Sequence, residues 1–408
     1  NFYGLTFSQL YVNNNGNVTF NAPLSTYTPF GLTGNIGTPI IAPFFGDVDT
    51  RSGNVASFGT STFNGRSAFG VTWDNVGYYS GHTDKLNSFQ LLLVNRADTG
   101  NKNFDIVFNY STLNWETGDA SGGYGGLGGL SAHAGFSNGT GTAGSFYELP
   151  GSGVIGGLLN GNVDTGLVNN GQASNILGQY IFRVRNGDVS TPIAGFSPES
   201  VTGNITATGG FGWSTSYQVG LSNNQVRITE SIHLTGDDPG DALQTAWEHG
   251  IERVWSNRYD VIDDQGFRYP LIFDVSFVNG AADQTVTVHS GTGRTNMSNW
   301  YTSMPGGWPD DRQGEIAAHE FGHMVGLFDE YAGGALDPNA NPNVFSNSIM
   351  ADLGPPQPRH FETILDLIRT HTTRTLSLAN SPLPPPDTGE LLPNFGGTED
   401  APGAVPEP

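Results

Sequence analysis

The sequence predicts a multidomain chain: a β-rich N-terminal domain, a second domain of α+β character and a Pro-rich acidic C-terminal tail. Three observations lead there. A length of 408 residues exceeds one ordinary domain. Residues 1–187 are built of short apolar or alternating runs bounded by Gly, Asn and Asp, which is strand patterning. From residue 222 to 378 the apolar spacing switches between a period of two and a helical period, and residues 379–408 have too little apolar character to bury a core.

Composition narrows the classes of function. The chain has 58 Gly and 24 Pro, with only Lys85 and Lys102 as lysines, which favours turn-rich β structure. A formal net charge of −22 argues against nucleic-acid or anionic-lipid partners and would suit divalent cations, calcium first. Cysteine is absent, so thiol catalysis, thiolate-bound zinc and disulfides are excluded. A chain of this size without disulfides fits a bacterial exported protein better than a secreted animal one. No window approaches the roughly 20 apolar residues of a membrane span. Starting at Asn1 with no basic-then-apolar leader, the chain is expected to be secreted or cell-surface, with its export signal already removed.

In the first domain, "GNVTFNAPL", "TPIIAPFFGDVDT", "SAFGVTWDNV", "NSFQLLLVN" and "NFDIVFNYS" read as strands, "QYIFRVRNG" as the closing strand and "SGGYGGLGG" (121–129) as a loop. The residues "FSQLYVNNNGNVTF", "IIAPFFGDVDTR", "FGVTWDNVGYY" and "AHAGFSNGT" occur in an order that resembles the nidogen-like extracellular domain. That resemblance spans nearly all of residues 1–187 and implies attachment to an extracellular-matrix or cell-surface component, with no catalytic residue. In "GDVDTRSGN", Asp47 and Asp49 (with Asn54) have the oxygen-ligand character of a calcium site, although the spacing falls short of an EF-hand loop.

Residues 188–221 read as linker and lead-in. Then "NQVRITESIHLTG" alternates as a half-buried strand, and "GDALQTAWEHGIERVWSNRY" puts Leu243, Ala246, Trp247, Ile251, Val254 and Trp255 on one helical face. "FRYPLIFDVSFVNG" and "QTVTVHSG" are strands, "EIAAHEFGHMVG" a helix that Asp310 or Asp311 could cap, and "PRHFETILDLIRTHT" the last helix.

The chemistry concentrates between residues 319 and 350. His319 and His323, four apart, lie on one face of a helix and supply two imidazoles for zinc. Glu320 is placed to take a proton from a water at that metal and to return it to a leaving amine. Gly326 lets the chain leave the helix, and three residues later Asp329 can bring in a carboxylate as third ligand; Glu330 beside it is the alternative.

His-Glu-x-x-His-x-x-Gly-x-x-Asp, followed by "SNSIMADLG" with Met350 twenty-seven residues after His323, resembles the metzincin zinc metallopeptidases in their aspartate variant. The resemblance implies a zinc endopeptidase acting on a protein or peptide substrate, with Glu320 as general base and Met350 in a turn beneath the metal. No tyrosine follows Met350 closely, so transition-state support would fall to Tyr331, His360 or a backbone group, and Glu330 could serve behind the ligands. The remaining histidines (His82, His133, His233, His249, His289 and His371) have no partner at ligand spacing and read as structural or surface residues. The terminal "VPEP" resembles the start of a bacterial PEP-CTERM sorting signal, and an ordered tail would need its own domain or a neighbouring copy to lie on, making a homo-oligomer. A second function class fits the same sequence: an extracellular structural or adhesive surface protein, self-assembling, in which the zinc site is vestigial or self-processing.

Overall fold

The structure, a computed structural model, describes residues 1–51, 54–174, 176–303 and 312–383. They divide into two compact units, the first Asn1–Ile193 with Asp264–Arg268, the second Ala194–Asp263 with the described residues from Tyr269 onward. The capping aspartates Asp310 and Asp311, most of the Pro-rich tail and the terminal "VPEP" lie outside the described residues.

The first unit holds two antiparallel sheets. One runs β1 (Tyr11–Asn13), β2 (Asn17–Thr19), β3 (Ile40–Phe45), β9 (His133–Ser137), β10 (Phe146–Glu148) in that order. The other runs β12 (Asp188–Val189), β11 (Gln179–Arg185), β8 (Phe104–Thr112), β7 (His82–Asn95), β6 (Arg66–Tyr78), β4 (Val48–Asp49), with β5 (Ser57–Phe63) also on β6. Aromatic side chains fill its core: Phe44 meets Trp115 edge to face at 5.4 Å, and Trp73 stacks on Phe89 at 5.1 Å. "SGGYGGLGG" is a loop, as its glycines require.

The second unit is a mixed sheet with helices. Its order is β13 (Phe196–Thr206), β14 (Gly212–Ser222), β15 (Gln225–Gly236), β17 (Arg268–Val278), β16 (Tyr259–Asp263), β20 (Leu376–Asn380); β18 (Gln284–Thr292) joins β15 and β19 (Asn299–Ser303). β15 runs parallel to both β17 and β18, which requires a crossover between strands. That crossover begins with α1 (Asp241–Trp255), whose buried face carries Trp247, Ile251, Val254 and Trp255.

Residues 188–221 are therefore not a linker. Most of them form the hairpin β13–β14, paired from Phe196↔Leu221 to Thr206↔Gly212. Its many Ser, Thr and Gly residues hide the alternation that would have betrayed the strands, and β13 has no fully buried position to demand an apolar side chain. Strands β16 and β19 also went unread: β16 is short and starts at the tyrosine of "SNRY", where the helical pattern ends, and β19 follows a turn with no apolar run. The unit boundary falls at 193/194, not at 187, and strand β20 carries ordered structure to Asn380, past the expected start of the tail at 379.

α2 (Gln313–Met324) lies against α1, crossing where Gly250 meets Gly314; a Cβ on Gly250 would overlap the Gly314 backbone. Trp255 of α1 donates its indole N–H to Ala318 O at 2.9 Å and so fixes the rotation of α2. α3 (Ile349–Asp352) and α4 (Glu362–Thr370) complete the unit. Met350, fully buried, lies under α2 so closely that a Cβ on Gly322 would strike its sulfur.

Candidate metal centre

α2 ends where the motif needs it to. Gly326 takes φ 96°, and its N–H bonds His323 O at 2.9 Å while Leu327 N–H bonds Gly322 O at 2.9 Å. A side chain would strain that conformation, so glycine releases the chain into the loop carrying Asp329. Trp213 of β14 donates its indole N–H to His323 O at 2.7 Å and sets its ring edge-on to the imidazole, 5.3 Å away.

The imidazoles are aimed by backbone carbonyls. His319 Nδ1 lies 2.7 Å from Ile349 O and His323 Nδ1 2.8 Å from Leu327 O. A carbonyl only accepts, so each Nδ1 carries a proton and each Nε2 is turned inward. Both meet Asp329: Nε2 of His319 is 3.3 Å from Oδ1 and Nε2 of His323 is 3.4 Å. Asp329 is 2% exposed; its Oδ2 accepts from Ala335 N–H at 2.7 Å, whereas its buried Oδ1 has no hydrogen-bond partner.

Two imidazole nitrogens and an unsatisfied carboxylate oxygen facing one another need a positive charge among them. The protonation pattern follows the same logic. Burial opposes a charged His319, but the Asp329 carboxylate and Glu320 outweigh it and push the imidazole up to about 9. Burial likewise opposes a charged Asp329, and the two histidines outweigh it, holding the carboxyl well below the usual range.

The same arrangement fits a cation. Metal–ligand bonds of about 2.0–2.1 Å at tetrahedral angles put ligand atoms about 3.3 Å apart, which is the spacing of both Nε2–Oδ1 pairs. Among the described residues, His319, His323 and Asp329 are the one group of three or more His, Asp or Glu whose ligating atoms all lie within 4.8 Å. Glu320 is buried beside them at 6% exposure.

Glu330, the alternative third ligand, faces elsewhere. Its carboxylate accepts from Arg359 Nε at 2.5 Å and Nη2 at 2.7 Å and from Ser348 Oγ at 2.5 Å, with His360 Nε2 at 3.3 Å. Burial raises its pKa, but Arg359, His360 and Ser348 bring it down to about 2. His360 is 6% exposed and its pKa is lowered by burial against the pull of Glu330. Of the residues expected to support a transition state, Tyr331 has its ring 6.4 Å from His319, while His360 belongs to the Glu330 network.

In the acidic turn of the first unit, the residues of the calcium expectation have protein partners. Asp49 is tied to the Arg51 guanidinium and to Gly81 N–H at 2.8 Å, and Asn54 donates to Asp74 O at 2.9 Å. Asp47, 3% exposed, lies 3.4 Å from Ser121 Oγ, and burial with Asp49 and Asp119 nearby pushes its carboxyl up to about 6. Among the described residues, Asp47 and Asp49 do not belong to a group of three or more His, Asp or Glu whose ligating atoms converge. The other histidines have protein neighbours: His82 lies 2.9 Å from Asp119, His133 2.7 Å from Glu148, His233 3.0 Å from Val278 O and His289 2.9 Å from Asn299.

Sequence reasoning missed Trp213, Ser348 and Arg359. Trp213 lies in the stretch read as linker, and Arg359 had no motif to mark it; a lone Trp in a Ser/Thr-rich run was the available signal for the first.

Residues 8–186 match the nidogen-like domain family, so the first unit carries a nidogen-like domain. Alpha-tectorin of Mus musculus is 38% identical over 175 residues, 37% of this chain and 8% of that protein. Alpha-tectorin of Homo sapiens is 37% identical over the same length. Nidogen of Drosophila melanogaster is 33% identical over 178 residues, covering 37% of this chain and 12% of that protein. The chain thus spans about an eighth or less of the length of these relatives. No solved structure matches it. No helix among the described residues is long and apolar enough to cross a membrane.

Proposed function

We propose that the chain is a secreted or cell-surface zinc metallopeptidase whose nidogen-like domain attaches it to a matrix or surface component. One observation carries the hydrolytic part: the Nε2 atoms of His319 and His323 converge on the unsatisfied Asp329 Oδ1 at zinc-ligand spacing, with Glu320 beside them. His319, His323 and Asp329 would hold the ion, and zinc so bound supplies a Lewis acid that acidifies water and polarises a carbonyl. Glu320 takes the proton of the attacking water and passes it to the leaving amine. Tyr331, whose ring lies 6.4 Å from that of His319, is a candidate to donate to a developing oxyanion.

The likeness to alpha-tectorin and nidogen favours a second reading, an adhesive or structural extracellular protein in which the centre is vestigial or processes the chain itself. Cleavage of an unfolded protein substrate by the zinc-loaded chain separates the two. The peptidase reading expects activity in the parent and a loss of at least about 100-fold in Glu320→Gln with zinc retained. No cleavage by a parent that holds one zinc per chain would leave the adhesive reading.

A further inference from the structure

We propose that Glu330 and Arg359 form a clasp that selects which of two adjacent carboxylates faces the histidines, and so positions Asp329. The inference rests on the metal-centre reading above and adds a positioning role to it.

Asp329 and Glu330 follow one another in a loop, and both carry the charge a metal ligand needs. His319 and His323 are registered by their helix, but helix geometry does not reach this loop. Something else must decide which carboxylate turns inward. Residue 330 is held at every polar atom. Its N–H bonds Met350 O at 2.8 Å and its carbonyl accepts from Phe345 N–H at 2.8 Å. Its carboxylate takes the two-pronged Arg359 fork and the Ser348 hydroxyl. His360 Nδ1 accepts from Gln357 N–H at 3.1 Å, so its Nε2 carries the proton and turns toward Glu330.

Arg359 is fixed in turn. Its guanidinium lies over the Phe345 ring, 4.1 Å from the centroid, and its backbone belongs to the short helical turn Pro358–Phe361. A planar fork on a carboxylate is directional in a way that a point charge is not. With Glu330 neutralised and turned away, Asp329 keeps one oxygen on Ala335 N–H and presents the other to the imidazoles. The turn at Met350 serves as the shared reference: Ile349 O orients His319 and the next carbonyl, Met350 O, holds Glu330.

The test measures zinc affinity of the full chain by competition with a chromophoric chelator, and the visible absorption of the cobalt(II)-loaded chain, which reports ligand number and geometry. The variants are Arg359→Met, Arg359→Lys and Glu330→Gln; the last keeps size and shape should Arg359→Met fail to fold. The clasp predicts zinc affinity 10- to 100-fold weaker in Arg359→Met and Glu330→Gln, an altered cobalt spectrum, and partial recovery in Arg359→Lys. A purely structural role would lower the denaturation midpoint of the metal-free chain and leave the cobalt spectrum as in the parent. Zinc held by the parent and equally well by a folded Glu330→Gln or Arg359→Met overturns the clasp alone. No zinc binding by the parent overturns the metal centre, and this inference with it.

Discussion

Gly322 shows how much one missing methyl can decide. It sits mid-helix, where alanine would ordinarily gain about 0.5–1 kcal/mol. Here a methyl would enter the Met350 sulfur, with the Trp255 ring 3.3 Å from the same point. Overpacking of a tight core costs about 1–3 kcal/mol, which outweighs the helical gain. Gly322→Ala should therefore destabilise the second unit by about 1–2 kcal/mol in urea denaturation; an unchanged or raised midpoint would show that Met350 does not bear on α2. The pair also marks what was legible residue by residue. The helical placement of His319, Glu320 and His323 was readable from their spacing, and the helix exit at Gly326 from glycine's tolerance of a positive φ. The choice between Asp329 and Glu330 was not, because it depends on Arg359 and Ser348, which lie 18 or more residues along the chain from Glu330.

At the scale of elements, helices and apolar strands could be read and polar strands could not. α1, β17 and α4 carry their apolar residues at clear periods, and they fall as expected. The hairpin β13–β14 escaped because half of its residues are Ser, Thr, Gly or Asn, although it supplies Trp213 to the centre. β15 holds a different lesson. Its buried face runs Val226, Ile228, Glu230, Ile232, so a carboxylate sits where an apolar residue is expected. Glu230 is 2% exposed and neither of its oxygens has a hydrogen-bond partner among the described residues. Burial, with Asp283 adding to it, holds its pKa well above the ordinary carboxylate value. A group whose folded-state pKa exceeds its unfolded value favours the folded state at low pH and loses that contribution as pH rises. Glu230→Leu should then be more stable than the parent, by about 1–3 kcal/mol at pH 8, with a smaller advantage at pH 5. Equal urea midpoints at both pH values would contradict this account of Glu230.

For the whole molecule, a nidogen-like domain and a unit bearing a candidate zinc centre share one acidic, cysteine-free chain. Attachment and hydrolysis are proposed for different units, so they should separate by mutation. Glu320→Gln should bind an extracellular-matrix preparation as well as the parent does while losing cleavage; loss of both would mean that adhesion depends on the centre itself.

His319, His323 and Asp329 are proposed to hold one zinc ion. The direct measurement is metal content and zinc affinity of the full chain beside Asp329→Ala, with X-ray absorption of the zinc-loaded parent. The expected result is one zinc per chain, two imidazole nitrogens and a carboxylate oxygen at about 2.0–2.1 Å, and affinity at least about 100-fold weaker in the variant. Zinc bound equally by Asp329→Ala, or a shell without the two imidazoles, would contradict it.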